Sequence, residues 1–219
     1  MCHPEVAIPP VTSRRSFLWS VSLAATTSVF SEAQLALAAP RPSANTESQA
    51  ESAPNENLDA ERMRALAAFT ALTMDTPNPV PYGADILHSK TGKRLMRATN
   101  AVSQEHDPSA HAELCTIRLA CNKLSSYSLR GYTLYTTCEP CPMCMACSLW
   151  AGLDRVVYGA TIADAARFGH QIQIPATEVE KRSDMRCVFD GPVEHDACLA
   201  LFTNPNMQKA FKRWNSQKP

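Results

Sequence analysis

The chain predicts a layered α/β domain with helices on both faces of a sheet. Strand-like stretches, "ADILHSKTGKRLMRATN", "YTLYTTC", "RVVYGA" and "MRCVFDG", are separated by segments whose apolar residues recur at helical spacing. The 219 residues suffice for one ordinary domain with an ample core, and hardly for two. The composition, 45% apolar with 7 glycines and no internal repeat, is that of a globular protein.

The first 38 residues are expected to be an export leader. Arg14-Arg15 precede Ser16-Phe17-Leu18 and a mostly apolar run from Trp19 to Phe30, and Ala36-Leu37-Ala38 offers small residues to a signal peptidase. Charge, then an apolar run, then A-x-A is the order of a secretory signal. The paired arginines point to the twin-arginine route and so to the periplasm. Glu32 and Gln34 interrupt the end of the apolar segment, and a tail with two chance arginines on a cytoplasmic protein is the alternative. The run falls short of the roughly 20 residues that a stable membrane anchor needs. Residues 39–56, "APRPSANTESQAESAPNE", are too poor in bulky apolar groups to offset their ordering entropy, which predicts a disordered linker. The folded domain is expected over 57–219.

Its first helix is expected from Leu58 to Met74, with Met63, Leu66, Ala67, Thr70 and Met74 on one face. Three prolines and a glycine in "TPNPVPYG" break it. A hairpin follows, with Thr91-Gly92 at its turn. Asp107-Pro108 ends that stretch, and a helix from about Ala110 aligns Leu114, Ile117, Cys121 and Leu124. The strand "YTLYTTC" leads to a short helix near Cys141. "RVVYGA" reads as a buried strand and "DAARFG" as a helical piece. The last helix carries Met207, Ala210, Phe211 and Trp214 at i, i+3, i+4 and i+7.

The chemistry concentrates between residues 111 and 144. Cys141 and Cys144 are three residues apart, so on a helical turn both sulfurs face the same way, and a helix N-terminus favours their thiolate forms. His111 can supply a third ligand. A zinc ion held by one imidazole and two thiolates keeps a position open for water. Glu113, two residues past His111, reaches that position without being a ligand, and can take a proton and pass it to a leaving amine. Alone, C-x-x-C is equally a redox pair or half of a structural zinc site, and H-x-E alone means little. Together, in this order and with Pro140 before the first cysteine, they point to a catalytic zinc centre.

The order H-x-E…P-C-x-x-C, with "DPSAHAE", "TLYTTCEPCPMC" and "RVVYGA", resembles the cytidine deaminase superfamily, in its bacterial guanine deaminase and tRNA adenosine deaminase branch. The resemblance runs from about Leu58 to the C-terminus. It implies a three-layer α/β/α cytidine deaminase-like fold with a central mixed sheet, Zn2+ on His111, Cys141 and Cys144, and Glu113 as proton shuttle. It implies substrate contacts at Asn100, Ala112 and Trp214, with "PYGA" at 81–84 lining the base pocket. Hydrolytic deamination of a free nucleobase or nucleoside follows, a guanine-like purine ahead of cytosine or cytidine. Guanine deaminases tend to carry acidic residues where this chain has Gly169-His170-Gln171-Ile172, so that substrate is less secured. His170 either stands in the pocket or is an exposed helix-end residue. Phe211 and Trp214 either close the pocket or dock the last helix.

The balance of 21 basic and 21 acidic residues argues against a general attraction to nucleic acid or anionic lipid. A tRNA adenosine deaminase is the alternative, favoured only by a basic C-terminal tail, and a non-catalytic zinc module is a third reading. The family's habit suggests a homodimer. Cys115, Cys121 and Cys147 are expected as buried apolar fillers, and Cys138 as packing beside the metal. Cys187 and Cys198 are candidates for a disulfide.

Overall fold

The computed structural model describes residues 56–217. The leader and the linker expected over 1–56 lie outside them, save Glu56, which opens the first helix. That helix, α1 (Glu56–Ala71), runs into a 3-10 turn, Leu72–Asp75. Met63, Leu66, Ala67, Thr70 and Met74 are all buried, as their spacing predicts. The hairpin is β1 (Gly83–His88) and β2 (Arg94–Thr99). Gly92 closes its turn by donating to the His88 carbonyl at 2.8 Å, with φ at +68°.

The chain continues through α2 (Val102–Glu105), α3 (Ala112–Leu124), β3 (Tyr132–Cys138), α4 (Pro142–Trp150) and β4 (Arg155–Ala160). It ends with α5 (Ile162–Ala166), α6 (Ala176–Lys181), β5 (Val188–Asp190), α7 (His195–Thr203) and α8 (Pro205–Gln217). The strands form one mixed sheet in the order β2-β1-β3-β4-β5. The β1 strand is antiparallel to both neighbours, and β3, β4 and β5 are parallel.

Alternate strand residues face opposite sides, so two cores form. Leu87, Tyr135 and Val157 pack against α1, α7 and α8 on one face. Ala84, Ile86, Leu134 and Val156 pack against α3 and α4 on the other. The architecture is thus the expected helix–sheet–helix stack. Close approach sets the helix positions: a Cβ on Gly83 would meet the Thr70 hydroxyl at 2.0 Å, and one on Gly159 would meet the Cys198 sulfur at 2.2 Å. A polar knot fixes the edge away from the metal. Arg155 spans Asp59 at 2.7 Å and Asp190 at 2.5 Å, and Tyr135 donates to Asp59 at 2.5 Å. Breaking one arm would strand a buried charge.

Two expectations change. The stripe on α3 is rotated: Ala112, Glu113, Thr116, Ile117 and Ala120 are its buried face, while Leu114 and Cys121 are half-buried and Leu124 is exposed. The metal-site residues, not the largest apolar ones, set which face goes inward. Cys187 and Cys198 sit in the two different cores, on opposite faces of the sheet, and both are free thiols, so no disulfide joins them. No helix among the described residues is long and apolar enough to cross a membrane.

Candidate metal centre and cavity

Two helix N-termini converge at the carboxyl end of the parallel pair β3–β4, the usual place for a site in such a sheet. His111 is the N-cap of α3 and Cys141 the N-cap of α4, and neither side chain caps its own helix by a hydrogen bond. Pro142 at the first helical position pre-sets the turn that brings Cys144 back toward Cys141. Cap positions usually held by Ser or Asp are here given to metal-binding groups. Both helix dipoles then favour negative charge at the same point.

The ring Nδ1 of His111 lies 3.7 Å from the Cys141 sulfur and 3.6 Å from the Cys144 sulfur. Tetrahedral zinc with ordinary Zn–N and Zn–S bonds would set such N···S separations at about 3.6 Å. All three donor atoms lie within 4.8 Å of one another, and among the described residues no other group of His, Cys, Asp and Glu does so. The donor set and its spacing fit zinc.

Electrostatics agree. The Cys144 thiol, the His111 ring and the Cys144 backbone N–H together pull the Cys141 thiol down to about 4, against its burial. Cys144, sharing a proton with Cys141 and itself buried, is pushed the other way. Glu113 is 6% exposed. Burial pushes its carboxyl up to about 7, against the pull of His111.

The centre opens into a cavity of about 410 Å³, at the small end of the range for small-molecule sites. Two groups of residues line it, His111, Glu113 and Cys141 from the metal centre, and Gly169, His170, Gln171, Trp214 and Asn215 from the segment after α5 and from α8. Tyr82, from "PYGA", forms part of the wall, and burial pushes its phenol well up, so it stays protonated. Asn100 lines the cavity too. Its Oδ1 accepts from the Val102 backbone N–H at 3.2 Å, which turns its amide nitrogen to other partners. Phe211 and Trp214 pack edge-to-face 5.6 Å apart against the core formed with α1 and α7, and both also line the cavity. Ala112 is wholly buried in the core and is not among the residues that line the cavity. Cys138 is buried and touches the cavity.

Sequence reasoning missed Glu139. Its two carboxylate oxygens accept from the backbone N–H groups of Ile162 at 3.1 Å and Ala176 at 3.0 Å. It thereby ties the metal-bearing loop to both ends of the segment that carries Gly169–Gln171. Asn215 was missed as well. It donates to the Phe168 carbonyl at 2.9 Å and fixes α8 to that segment. Proximity of Glu139 to Cys141 was the only available signal for the first, and no signal marked the second.

Comparison with known proteins agrees with the geometry. Residues 57–160 match the model of the cytidine and deoxycytidylate deaminase zinc-binding region. The guanine deaminase of Bacillus subtilis is 40% identical over 108 residues, covering 49% of this chain and 68% of that protein. The tRNA-specific adenosine deaminase of Aquifex aeolicus is 31% identical over 122 residues, covering 50% and 80%. A guanine deaminase structure from Nitrosomonas europaea superposes with a TM-score of 0.60 at 23% identity, over 67% of this chain and 84% of that one, and so bears on the fold. With this order of motifs on this sheet, the chain belongs to the cytidine and deoxycytidylate deaminase family of zinc enzymes.

Proposed function

We propose that the protein hydrolytically deaminates a nucleobase ring, free or as its nucleoside, with a guanine-like purine first and cytosine or cytidine second. The observation that carries this is a buried carboxylate, Glu113, beside an N,S,S donor set that lines a small cavity. In this reading His111, Cys141 and Cys144 hold the ion. When bound, zinc supplies a Lewis acid that makes water an effective nucleophile near neutral pH. Glu113 takes the proton from that water as its oxygen adds to the amino-bearing ring carbon. Glu113 delivers that proton to the ring nitrogen and then carries the second proton, from the added hydroxyl, to the leaving amine; the C–N bond breaks, ammonia departs, and a ring carbonyl remains. Asn100 orients the ring through its amide nitrogen, and Trp214 covers it.

A structural zinc module would need no carboxylate next to the donor set, which disfavours that reading. A tRNA adenosine deaminase is supported by the relatives of that name and opposed by the even charge balance. The deciding experiment incubates zinc-loaded protein with guanine, adenine, cytosine, their nucleosides and a tRNA anticodon stem-loop, and measures ammonia. Release from free bases or nucleosides is expected; release from the stem-loop alone would promote the tRNA reading.

Two finer proposals accompany this. The exposed apolar residues Met143 and Trp150, seven positions apart on α4, support a second copy of the chain as partner. Trp150→Lys should then lower the mass seen in sedimentation. The Arg14-Arg15 leader supports export, which fractionation of the native host would reveal as a shortened periplasmic form.

A further inference from the structure

Tyr82 lines the cavity from the position just before β1. Its backbone is held on every side. The Tyr82 carbonyl accepts from the Asn100 N–H at 3.0 Å, which ties it to the residue just after β2. The Thr137 hydroxyl accepts from the Gly83 N–H at 2.9 Å and donates to the Pro81 carbonyl at 2.8 Å, clamping both neighbours in the chain. The Tyr82 ring meets Phe202 edge-on, with centroids 5.4 Å apart. A side chain held this way has little freedom left to lose when a ligand arrives.

Among the described residues, the Tyr82 hydroxyl makes one hydrogen bond. Gln171 Nε2 donates to it at 3.5 Å, and Gln171 lines the cavity as well. A phenol has a single hydrogen to give. Since its oxygen is the acceptor toward Gln171, that hydrogen is left for another partner. Burial first, and then the neighbouring Cys138, Glu113 and Cys141, push the phenol well up against the pull of Gln171, so the hydrogen stays in place. The cavity thus carries a fixed, neutral donor within electrostatic reach of Glu113.

Ring chemistry says what would meet it. Guanine and cytosine share a feature that adenine lacks, a carbonyl on the ring carbon two bonds from the amino-bearing one. We propose that Tyr82 is a specificity-determining residue whose hydroxyl donates to that ring carbonyl, and that Gln171 positions the hydroxyl by holding its oxygen. This rests on the deaminase reading and sharpens it. A base without the carbonyl leaves the phenol hydrogen unmet, and a site built around a hydrogen bond rejects the analogue that cannot make it. Adenosine is such a compound, so Tyr82 also weighs against the tRNA reading.

The test compares the zinc-loaded chain with its Tyr82→Phe and Gln171→Leu variants on two pairs of compounds, guanine with 2-aminopurine and cytosine with 4-aminopyrimidine. Both members of a pair have the amino-bearing carbon, and the second lacks the carbonyl. Ammonia release gives kcat/KM, calorimetry gives Kd for compounds that are not turned over, and adenine and an anticodon stem-loop are run alongside. The reading is the change in the ratio within a pair on substitution, which cancels the compounds' intrinsic reactivity. For at least one pair Tyr82→Phe should lower the ratio by roughly 5–150-fold, the range for a buried partner left unmet. Gln171→Leu should lower it part of the way. If Tyr82 serves packing alone, both members fall alike and the ratio stands, which overturns the proposal. Ammonia from adenine or the stem-loop alone overturns it too. Should circular dichroism show that Tyr82→Phe does not fold, Gln171→Leu reads the same ratio, and no change there overturns the proposal. A Tyr82-dependent ratio in Kd with no ammonia from any compound keeps the proposal and sinks the deaminase reading. Ammonia release with a ratio that Tyr82→Phe leaves intact does the reverse.

Discussion

The two ends of the cavity are held in different ways. At the metal end, His111, Glu113, Cys141 and Cys144 project from the first turns of two helices that are backed by the sheet. Glu113 and Cys144 are buried, and their helices take fixed directions from the core. At the far end, Gly169, His170 and Gln171 lie between α5 and α6, outside any regular element. They are held by side-chain bonds from elsewhere: Glu139 to the backbone of Ile162 and Ala176, and Asn215 to that of Phe168. The metal end is rigid because its own backbone is regular. The far end has no regular backbone of its own and relies on those hydrogen bonds and on Phe168 packing against Phe202 and Phe211. Reaction type therefore belongs to the first region and substrate choice to the second, since loops can change without disturbing the core.

The largest effect should come from removing a donor at the rigid end. Cys144 is 0% exposed and faces the His111 ring at 3.6 Å. Cys144→Ala should abolish zinc retention and bring turnover to background, as should a strong chelator on the native chain. Metal analysis after gel filtration, with circular dichroism to confirm the fold, checks this. A fully active variant without zinc would break the comparison at its root. Next comes Glu113→Ala, which removes the proposed proton carrier and leaves the three donors in place. Zinc content should stay at one per chain while kcat falls by roughly 10²–10⁴-fold. Loss of the metal along with activity would mean that Glu113 acts by shaping the site.

This division also explains what the sequence revealed. The metal end was legible because its chemistry needs particular residue types at particular spacings, and both segments are local: H-x-E in one helix turn, C-x-x-C in another. The first and last helices were legible because Met63, Leu66, Met207 and Phe211 repeat at helical spacing and are buried. The inward face of α3 was misjudged, since Glu113 and Thr116 are buried while Leu124 is exposed. Periodicity ranks residues by apolarity, whereas here the demands of the metal rotate the helix. The far wall was hardly legible at all. Asn215 and Glu139 act there through contacts 47 and 37 residues away along the chain, and sequence spacing carries no mark of such partnerships.

Glu139→Gln would sharpen the contrast, with a smaller effect. A carboxamide can accept from one of the two backbone N–H groups but offers an NH2 to the other, leaving one donor unmet at a cost of about 1–3 kcal/mol. The change falls on the wall segment, not on the donors. KM should rise several-fold with kcat nearly unchanged, and amide exchange should quicken over 162–176 but not in α4. An equal fall in kcat would show that Glu139 also positions the metal end.

The smallest expected effect lies one layer further out, where α7 is tied to α5. His195 Nε2 is 2.8 Å from Asp164 Oδ2, and Asp164 also completes a capping box with Thr161 at the start of α5. Burial tends to raise Asp164, but hydrogen bonds from Thr161 and His195 outweigh it and hold the carboxyl down to about 2. Its share of stability is thus present above its ordinary value of 3.8 and is lost as the pH falls toward 2. His195 is raised above 6.5, chiefly by its bond to Asp164 with help from Asp196. Its share is complete below 6.5 and is lost as the pH rises through the raised value. The tie is strongest between those limits, and because His195 is partly exposed it contributes under about 1 kcal/mol. Amide exchange in α5, corrected for intrinsic rates, should lose protection as the pH climbs past neutrality, and His195→Gln should flatten that slope. Because α5 feeds directly into Gly169–Gln171, a native chain with no slope would mean that the far wall takes its order from Glu139 and Asn215 alone.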